Sequence, residues 1–269
     1  MKQFSEALQH YGIDPQYFTI HKVGFPKLDE VFNSKVEKSE LLQMRNLSLS
    51  RKTLLYAPSW DEGLSLKIFG GQIIKRLVEL TKTYNVIIRP HPILLTPKES
   101  KDYEFYTGGV DWLKLIMHYK NIENLYISTD LDSNNDLLSS DLLISDVSSI
   151  TWDFLLIGKP VLLFTSDEYF LNFNPKFYRE YGNTNLSVAD LYENEIINGG
   201  RNYAVLFKNL EELDDKITES LDKLRMERID VTSFKQKLLY HPGTASERLL
   251  EILSEFLFHP VENSYSRFD

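Results

Sequence analysis

Residues 139–164 read SSDLLISDVSSITWDFLLIGKPVLLF, and this stretch decides the fold. It predicts a buried strand over DLLIS, a turn of small polar residues, a helix over ITWDFLLIG, and a second buried strand over PVLLF. A strand, a helix and a strand in this order are typical of a parallel α/β sheet. The turn before the helix is where such sheets bind phosphate, because the backbone N–H groups at a helix start carry partial positive charge.

Further apolar runs extend this alternation toward the amino terminus. Three more strands are predicted, over residues 52–57, 85–90 and 124–128. Helices are predicted between them, over residues 67–80, 111–119 and 131–140. Because each strand is apolar on both faces, the sequence predicts an α/β fold, a Rossmann-like parallel sheet of five strands with helices on both faces.

The outer segments carry weaker signals. Short elements are predicted before the sheet: helices over residues 2–10, 27–33 and 37–47, and a strand over 17–23. Residues 165–200 are predicted to be irregular, with one helix near 187–196. Helices are predicted over 209–226 and 244–257, the second with Thr244 and Glu247 as a capping box.

Composition excludes several classes of protein. The 269 residues contain no cysteine, so disulfides and thiolate metal sites are ruled out. The net charge of −9 disfavours nucleic acid as a partner, since such domains are usually basic. No apolar run approaches the ~20 residues of a membrane helix. The polar amino terminus is unlike a signal peptide. We expect a cytoplasmic protein.

The DVSS turn is the first candidate site. Ser148 and Ser149 stand at the predicted helix start, where their hydroxyls and the N–H groups could hold a diphosphate. The alternative is an ordinary helix cap, which Asp146 alone would satisfy. Asp153 lies one turn further on and could accept the hydroxyls of a ribose. Its alternative is a solvated helix charge.

Two loops after other strands could line the same cleft. Arg89-Pro90-His91-Pro92 follows a buried strand, and the two prolines stiffen the loop around His91. A histidine there can donate to a phosphate or transfer a proton. Ser59, after the first strand of the sheet, could add a hydroxyl donor, although a proline-ended strand explains that loop equally well.

No metal or cofactor is predicted. Asp130-Leu131-Asp132 has the spacing of the DxD metal motif of some sugar transferases, but these acids precede a short helix and fit helix caps better. No histidine and acid cluster with metal-ligand spacing occurs elsewhere in the sequence.

Four segments together resemble one known family. LLYAPSW, IIRPHP, DLLISDVSSITWDFLLIGKPVLLF and GTASERLLEIL occur in this order. The chain resembles the C-terminal half of the CDP-glycerol glycerophosphotransferases, which build teichoic acid chains of the cell wall, over roughly residues 22–257. VGFPKLDEVF resembles the linker that joins the two halves in that family. The domains expected from this are 1–23 as a remnant or linker, 24–258 as the donor-binding domain, and 259–269 as a tail.

The resemblance implies one half of a GT-B architecture, in which two Rossmann-like domains enclose the active site. It implies a transferase that moves glycerol phosphate from CDP-glycerol to a growing teichoic-acid-type polymer and releases CMP. The family pattern implies that His91 is catalytic. It implies substrate contacts for Ser148, Ser149, Asp153, Ser246 and Glu247. Their positions in the same loops add Arg89, Ser59 and Asp146 to the predicted substrate-binding set. The implied partners are CDP-glycerol or a related nucleotide diphosphate donor, an N-terminal half and a polymer acceptor, with at most peripheral association at the inner face of the plasma membrane.

Two departures from the family pattern keep other functions open. Val147 stands where the family usually has tyrosine, and Asp61 stands where it often has arginine. The family's N-terminal half, with its acceptor site and its proposed general base, is expected to be absent, so we expect this chain alone to be inactive. One alternative is a nucleotide-sugar glycosyltransferase or epimerase of GT-B type. Another is a non-catalytic, degenerate interaction domain.

Overall fold

A computed structural model of the chain describes residues 11–14, 19–166, 199–222 and 239–258. Within these residues six strands form one sheet, and all its pairs are parallel. They are Thr53–Ala57 (β1), Asn85–Ile88 (β2), Leu125–Ile127 (β3), Leu142–Ser145 (β4), Val161–Phe164 (β5) and Val205–Phe207 (β6). The order is β3-β2-β1-β4-β5-β6, the Rossmann order, which reverses direction between β1 and β4. The predicted α/β fold with a Rossmann-like parallel sheet is confirmed.

Helices occupy most of the described connections. In chain order they are Asp29–Phe32 (α1), Lys38–Met44 (α2), Ser65–Phe69 (α3), Gly71–Leu80 (α4), Tyr103–Thr107 (α5), Trp112–Met117 (α6), Asn134–Ser139 (α7), Ser149–Leu156 (α8), Leu213–Leu221 (α9) and Ala245–Phe258 (α10). Short 3-10 turns cover Pro26–Leu28, Pro92–Leu95, Arg201–Tyr203 and Leu210–Glu212. None of the helices in the described ranges is long and apolar enough to cross a membrane.

The chain divides into two compact units. The sheet unit is Ser34–Lys235, and the terminal unit combines Met1–Asn33 with Gln236–Asp269. The predicted domain boundaries at residues 24 and 258 stay predictions.

The core of the sheet unit explains why these strands form. Every residue of β1, β2, β4 and β5 is buried, as the uniformly apolar runs predict for a sheet covered on both faces. Helix α4 turns Ile73, Ile74 and Leu77 into the same core. Burying a side chain of this size stabilises the fold by about 1.5–3 kcal/mol.

Two elements of the sheet unit differ from the sequence prediction. The single helix predicted over residues 67–80 is two helices, because Gly70 has φ 55° and ψ −139° and ends α3. Only glycine adopts such a backbone without strain. Strand β6 was not predicted, because a run of three residues is too short to show a periodic pattern. Its strand conformation becomes evident only from its pairing with β5.

The terminal unit corrects two further predictions. Residues 19–23, the described part of the strand predicted over 17–23, form no strand. Helix α10 has its predicted position, but its cap comes from a distant segment and not from the Thr244–Glu247 capping box. The carboxylate of Asp29 accepts hydrogen bonds from the backbone N–H groups of Ala245 at 3.1 Å and Ser246 at 2.6 Å. The predicted helices over 2–10 and 187–196 lie outside the described residues.

Candidate functional site

The strand order brings three candidate loops to one edge of the sheet. Ala57, the last residue of β1, pairs with Ser145, the last residue of β4, and the Ser145 hydroxyl donates to the Ala57 carbonyl at 2.6 Å. The loop after β1 and the turn after β4 therefore leave the sheet side by side. Strand β2 lies on the other side of β1, so the Arg89–His91 loop leaves at the same edge. Ligands of open α/β sheets bind where the strand order reverses, at the carboxyl ends of the strands.

Asp146 joins the first two loops from inside. Its carboxylate is fully buried and accepts hydrogen bonds from the backbone N–H groups of Ser59 and Ser65, each at 3.0 Å. Burial raises the pKa of Asp146, although these hydrogen bonds and the charge of Arg201 act to lower it. Asp146 therefore does not cap the following helix, and its carboxylate is engaged within the protein.

Ser59 makes a second connection between the same loops. Its hydroxyl donates to the Val147 carbonyl at 2.5 Å, and the residue is buried. The donor that the sequence assigned to a ligand is used internally. Substrate contact by Ser59 and Asp146 stays a prediction, and their burial argues against it.

The start of α8 is open by contrast. Ser148 is its N-cap in an extended conformation (φ −149°, ψ 148°), no side chain caps the helix, and its first turn contains no acid. Ser148 is partly exposed and Ser149 is exposed. Within the described residues neither hydroxyl forms a hydrogen bond. The Thr151 N–H donates to the Ser148 carbonyl at 3.2 Å. As far as the described residues show, the two hydroxyls and the N–H groups of Ser149 and Ile150 are thus available at the reversal point of the sheet.

Asp153 differs from both interpretations of its sequence position. It is 3% exposed, so it is not the solvated helix charge proposed as the alternative. A ribose would reach its carboxylate only if neighbouring side chains moved. Ribose binding by Asp153 stays a prediction.

Arg89 is held by neighbours beyond β2. Its guanidinium donates to the Asp136 carboxylate at 2.9 Å, the Ser128 hydroxyl at 3.1 Å and the Asp130 carbonyl at 2.9 Å. These contacts tie the end of β2 to the end of β3 and to α7. They leave Arg89 little freedom to contact a substrate, which stays a prediction.

His91 has a defined tautomer. Its Nδ1 accepts a hydrogen bond from the Ile93 backbone N–H at 3.3 Å and so caps the 3-10 turn Pro92–Leu95. An accepting Nδ1 places the proton of the neutral ring on Nε2. The ring is half-buried, and burial lowers its pKa. At neutral pH His91 is therefore an uncharged donor through Nε2.

Asp61 places a carboxylate where the family pattern often has arginine. It follows Trp60 in the loop after β1, and its Oδ1 is buried without a hydrogen-bond partner in the described part of the chain. Burial, together with the charges of Asp146 and Glu62, raises the pKa of Asp61 to about 6, while Lys67 opposes this. A carboxylate so placed opposes the binding of an anion when it is ionised.

Sequence reasoning missed the segment Gly199–Arg201. A Cβ on Gly199 would lie 3.6 Å from the Val147 side chain, and one on Gly200 would lie 3.0 Å from that of Thr151. The glycine pair, with φ of 61° and 86°, lets this backbone approach the turn after β4. The same segment carries Arg201, which is buried and whose guanidinium donates to the Phe164 carbonyl at the end of β5 at 2.8 Å. The paired glycines before an arginine were the available signal.

Other residues of the recognised motifs lie elsewhere. Lys159 of the Gly-Lys-Pro segment is at the amino edge of the sheet, where its ammonium donates to the carbonyls of Leu137, Leu138 and Ser140 at 2.5–3.1 Å. Ser246 and Glu247 belong to the terminal unit, in the first turn of α10. Their predicted contact with substrate stays a prediction.

Two cavities of the sheet unit lie away from the three loops. One of about 330 Å³ is at the amino edge beside Lys38, Arg51 and Asp141. The other, of about 550 Å³, runs along the outer strand β3 beside Arg45 and Tyr126. The described ranges hold no group of three or more histidine and acidic residues that could bind a metal ion.

Comparisons with known proteins identify a family that matches this chain. A family model described as CDP-Glycerol:Poly(glycerophosphate) glycerophosphotransferase matches residues 9–255. The teichoic acid glycerol-phosphate primase of Bacillus spizizenii is 27% identical over 244 residues, which cover 88% of this chain and 52% of that protein. The teichoic acid glycerol-phosphate transferase of Staphylococcus aureus is 24% identical over 157 residues, covering 55% and 36%.

Solved structures of the wall teichoic acid polymerase TagF share the fold. One aligns with a TM-score of 0.58 at 17% identity, covering 95% of this chain and 56% of that one. The chain therefore spans about half the length of the Bacillus spizizenii primase and of TagF. Because the family model matches almost the whole chain, including all three loops at the carboxyl edge, this protein belongs to the CDP-glycerol:poly(glycerophosphate) glycerophosphotransferase family.

Proposed function

We propose that this chain is the donor-binding half of a glycerophosphotransferase that takes glycerol phosphate from CDP-glycerol, with a polymer as acceptor. The observation that carries the proposal is the uncapped start of α8, with Ser148 and Ser149, at the reversal point of the sheet. The relatives named as primase and transferase support the activity, and a TagF variant was soaked with CDPG.

The start of α8 suits a diphosphate for electrostatic reasons. Free N–H groups and the helix dipole favour an anion by about 0.3–1 kcal/mol at an exposed site and up to ~2 kcal/mol at a partly buried one. The hydroxyls of Ser148 and Ser149 add donors whose bonds to a charged group contribute about 1.5–3 kcal/mol each. Several such donors on one ligand are sufficient for micromolar affinity.

His91 supplies a neutral donor beside this anion site. Its Nε2–H can donate a hydrogen bond to a phosphate oxygen, because Nδ1 accepts from the Ile93 N–H and the proton of the neutral ring is therefore on Nε2. Phosphoryl transfer depends mainly on such positioning and on neutralising charge. We assign His91 to the oxygen that gains charge as the donor is cleaved.

The reaction forms one P–O bond and breaks another. The hydroxyl oxygen of the acceptor attacks the phosphorus on the glycerol side of CDP-glycerol, and the bond from that phosphorus to the CMP oxygen breaks. CMP leaves with the bonding electron pair. The hydroxyl proton must pass to a base, and we assign none to the described residues. We expect the 269-residue chain to bind the donor with little or no turnover.

Asp61 is the observation that favours a second class of donor, the nucleotide sugars. A carboxylate where the family often has arginine removes a positive charge beside the diphosphate site, which could favour a different nucleotide or sugar. Uridine preference would favour a nucleotide-sugar transferase or epimerase. Failure of all nucleotides, with a stable complex to another protein, would favour a non-catalytic interaction domain.

Titration calorimetry with CDP-glycerol, CDP, UDP and UDP-sugars tests the proposal. We expect micromolar binding of CDP-glycerol and CDP, and weaker binding of the uridine nucleotides. Ser149→Ala and His91→Ala should each weaken binding. The matched controls Ser50→Ala and His118→Ala change exposed residues of the same types away from these loops and should leave the affinity unchanged. No heat with any of these nucleotides would defeat the proposal.

The cytoplasmic location and the peripheral association with the plasma membrane stay predictions. Fractionation of cells that express the full-length protein would test both. We expect the protein in the supernatant at high salt and partly with membranes at low salt, since peripheral contacts are largely electrostatic.

A further inference from the structure

We propose that Asp136 is a positioning residue that, by holding Arg89, holds the loop carrying His91. The effect on ligand binding rests on the proposed function, whereas the effect on the His91 ring can be measured without any ligand. Asp136 lies in α7, outside the three loops of the candidate site.

Asp136 is a buried carboxylate shared by two arginines. Its Oδ2 accepts hydrogen bonds from Arg89 at 2.9 Å and from the Ser128 hydroxyl at 2.6 Å. Its Oδ1 forms an ion pair with Arg45 at 2.6 Å. The Asp136 side chain is 0% exposed, and those of Arg45 and Arg89 are 6% and 12% exposed. Removing a carboxylate of this kind leaves two cations without their counter-charge in a poorly hydrated place.

The Arg89 end of this group spans the carboxyl edge of three strands. The backbone N–H of Arg89 donates to the Tyr56 carbonyl in β1 at 2.8 Å. Its guanidinium reaches past β3 to the carbonyls of Asp130 and Leu131 at 2.9 and 3.3 Å. Each end of Arg89 is therefore anchored, and among the described residues Asp136 is the one charged partner of the guanidinium.

The position of Arg89 is transmitted to His91 because the chain between them is stiff. Only Pro90 separates the two residues, and its ring locks φ near −65°. Pro92 follows His91, and the His91 ring accepts from the Ile93 N–H. With so few free backbone torsions between the two residues, any shift of the Arg89 backbone that follows release of its guanidinium moves the imidazole. Small displacements of a catalytic group of this kind have large effects on function.

Arg45 provides a matched control on the same carboxylate. It contacts the opposite oxygen, donates to the Ser139 hydroxyl at 2.7 Å and lies over the Tyr126 ring at 4.6 Å. None of these partners of Arg45 is part of the His91 loop. Arg45→Met therefore disturbs the buried charge group without releasing Arg89 from Asp136.

The test compares Asp136→Asn with Arg45→Met by two measurements. The first is the ¹⁵N NMR signature and titration of His91 in the free protein. We expect Asp136→Asn to weaken the preference for the Nε2–H tautomer and to move the His91 pKa up toward its ordinary value of 6.5, and Arg45→Met to change neither. The second is CDP affinity, which should fall about tenfold in Asp136→Asn, equivalent to ~1.4 kcal/mol, and less than twofold in Arg45→Met.

Three outcomes would overturn the proposal: an unchanged His91 titration in Asp136→Asn, equal changes in both variants, or a change in Arg45→Met alone. If Asp136→Asn does not fold, Arg89→Lys replaces it. This variant keeps the charge opposite Asp136 but cannot reach all the acceptors of the guanidinium, and it should shift the same His91 signals. If the wild-type chain binds no CDP, the proposed function fails, and the His91 titration still decides whether Asp136 positions the ring.

Discussion

The two edges of the sheet differ in whether their polar side chains are hydrogen-bonded within the protein. At the carboxyl edge, within the described ranges, the hydroxyls of Ser148 and Ser149 make no hydrogen bond, and the helix that they precede has no side-chain cap. At the amino edge Lys159 donates to three carbonyls. There Asp141 pairs with Lys38 and accepts the Thr53 N–H. The sequence motif that carries the family resemblance contributes residues to both edges: Ser148 and Ser149 to one, Asp141 and Lys159 to the other.

The difference shows which polar residues of the motif are bonded within the protein, and it leaves the others as the proposed contacts of a ligand. Lys159 looks in sequence like a phosphate-binding lysine, yet its position after α8 and before β5 takes it to the far edge, where it caps the carbonyl end of α7. At the carboxyl edge an inner layer of Ser59, Asp146 and Arg89 is bonded within the protein. Within the described ranges an outer layer, the hydroxyls of Ser148 and Ser149 and the His91 Nε2, has no hydrogen-bond partner, and its contact with a ligand stays a prediction.

Asp146→Ala should have the largest effect, and it tests the inner layer of the carboxyl edge. The change leaves the Ser59 and Ser65 N–H groups buried without an acceptor, at about 1–3 kcal/mol each. We expect a loss of about 3 kcal/mol in the free energy of unfolding, measured by urea titration. Asp130→Ala, an exposed aspartate at the same edge, should change it by less than about 0.5 kcal/mol. Equal effects of the two variants would contradict a structural role for Asp146.

Lys159→Met should have the next largest effect, and it tests the amino edge. The loss of a partly buried ammonium that donates to three carbonyls should lower the free energy of unfolding by about 2 kcal/mol. CDP affinity of the folded variant should match the wild type, because Lys159 lies beyond the C-terminal end of α8, at the opposite edge of the sheet from Ser148 and Ser149. Lys120→Met, which removes an exposed lysine, controls for the change in net charge. A variant that keeps its stability but loses CDP binding would reverse our assignment of Lys159.

The edges should also respond to acid with opposite signs. Burial acts to raise the pKa of Asp141, but the charges of Lys38 and Lys52 and the Thr53 N–H outweigh it and hold the pKa below its ordinary value of 3.8. The stabilisation from Asp141 is therefore present above about pH 4 and is lost as the pH falls through its folded-state pKa. Asp141→Asn should remove this part of the acid denaturation.

Asp61→Asn should give the smallest effect, with the reverse sign. Burial raises the pKa of Asp61 to about 6, so its contribution to stability is present below about pH 4 and is lost as the pH rises through 6. The variant should be more stable than the wild type at pH 7 by about 1 kcal/mol after allowance for solvent screening, and equally stable at pH 4. Thermal unfolding at the two pH values measures this. A gain that is independent of pH would contradict the raised pKa.

Local patterns predicted the elements of the sheet well where they were long and apolar. Strands β1, β2, β4 and β5 and helices α4 and α10 lie where the hydrophobic pattern placed them. The sequence did not predict strand β6, because three residues are too few to show a periodic pattern. The sequence did not predict the break between α3 and α4 at Gly70. The helical spacing of apolar residues continues on both sides of this glycine, although its positive φ ends the first helix.

The site was predicted by position but not by role. Strand ends and the family resemblance identified Ser148, Ser149 and His91, whose placement at one edge the fold confirms. They did not reveal that Arg89 is held by Asp136, or that Arg201 reaches the buried side of the turn after β4. Those partners come from parts of the sequence that carry no motif.

Sequence alone determined the class of fold, because strands that are apolar on both faces can only be buried in a parallel sheet covered by helices. It also determined which short loops end those strands. Only the tertiary structure decided which polar groups in the loops are satisfied from within and which stay open. The reason is that a hydrogen-bond partner 47 residues away, as Asp136 is from Arg89, is chosen by strand order and burial and leaves no local pattern to read.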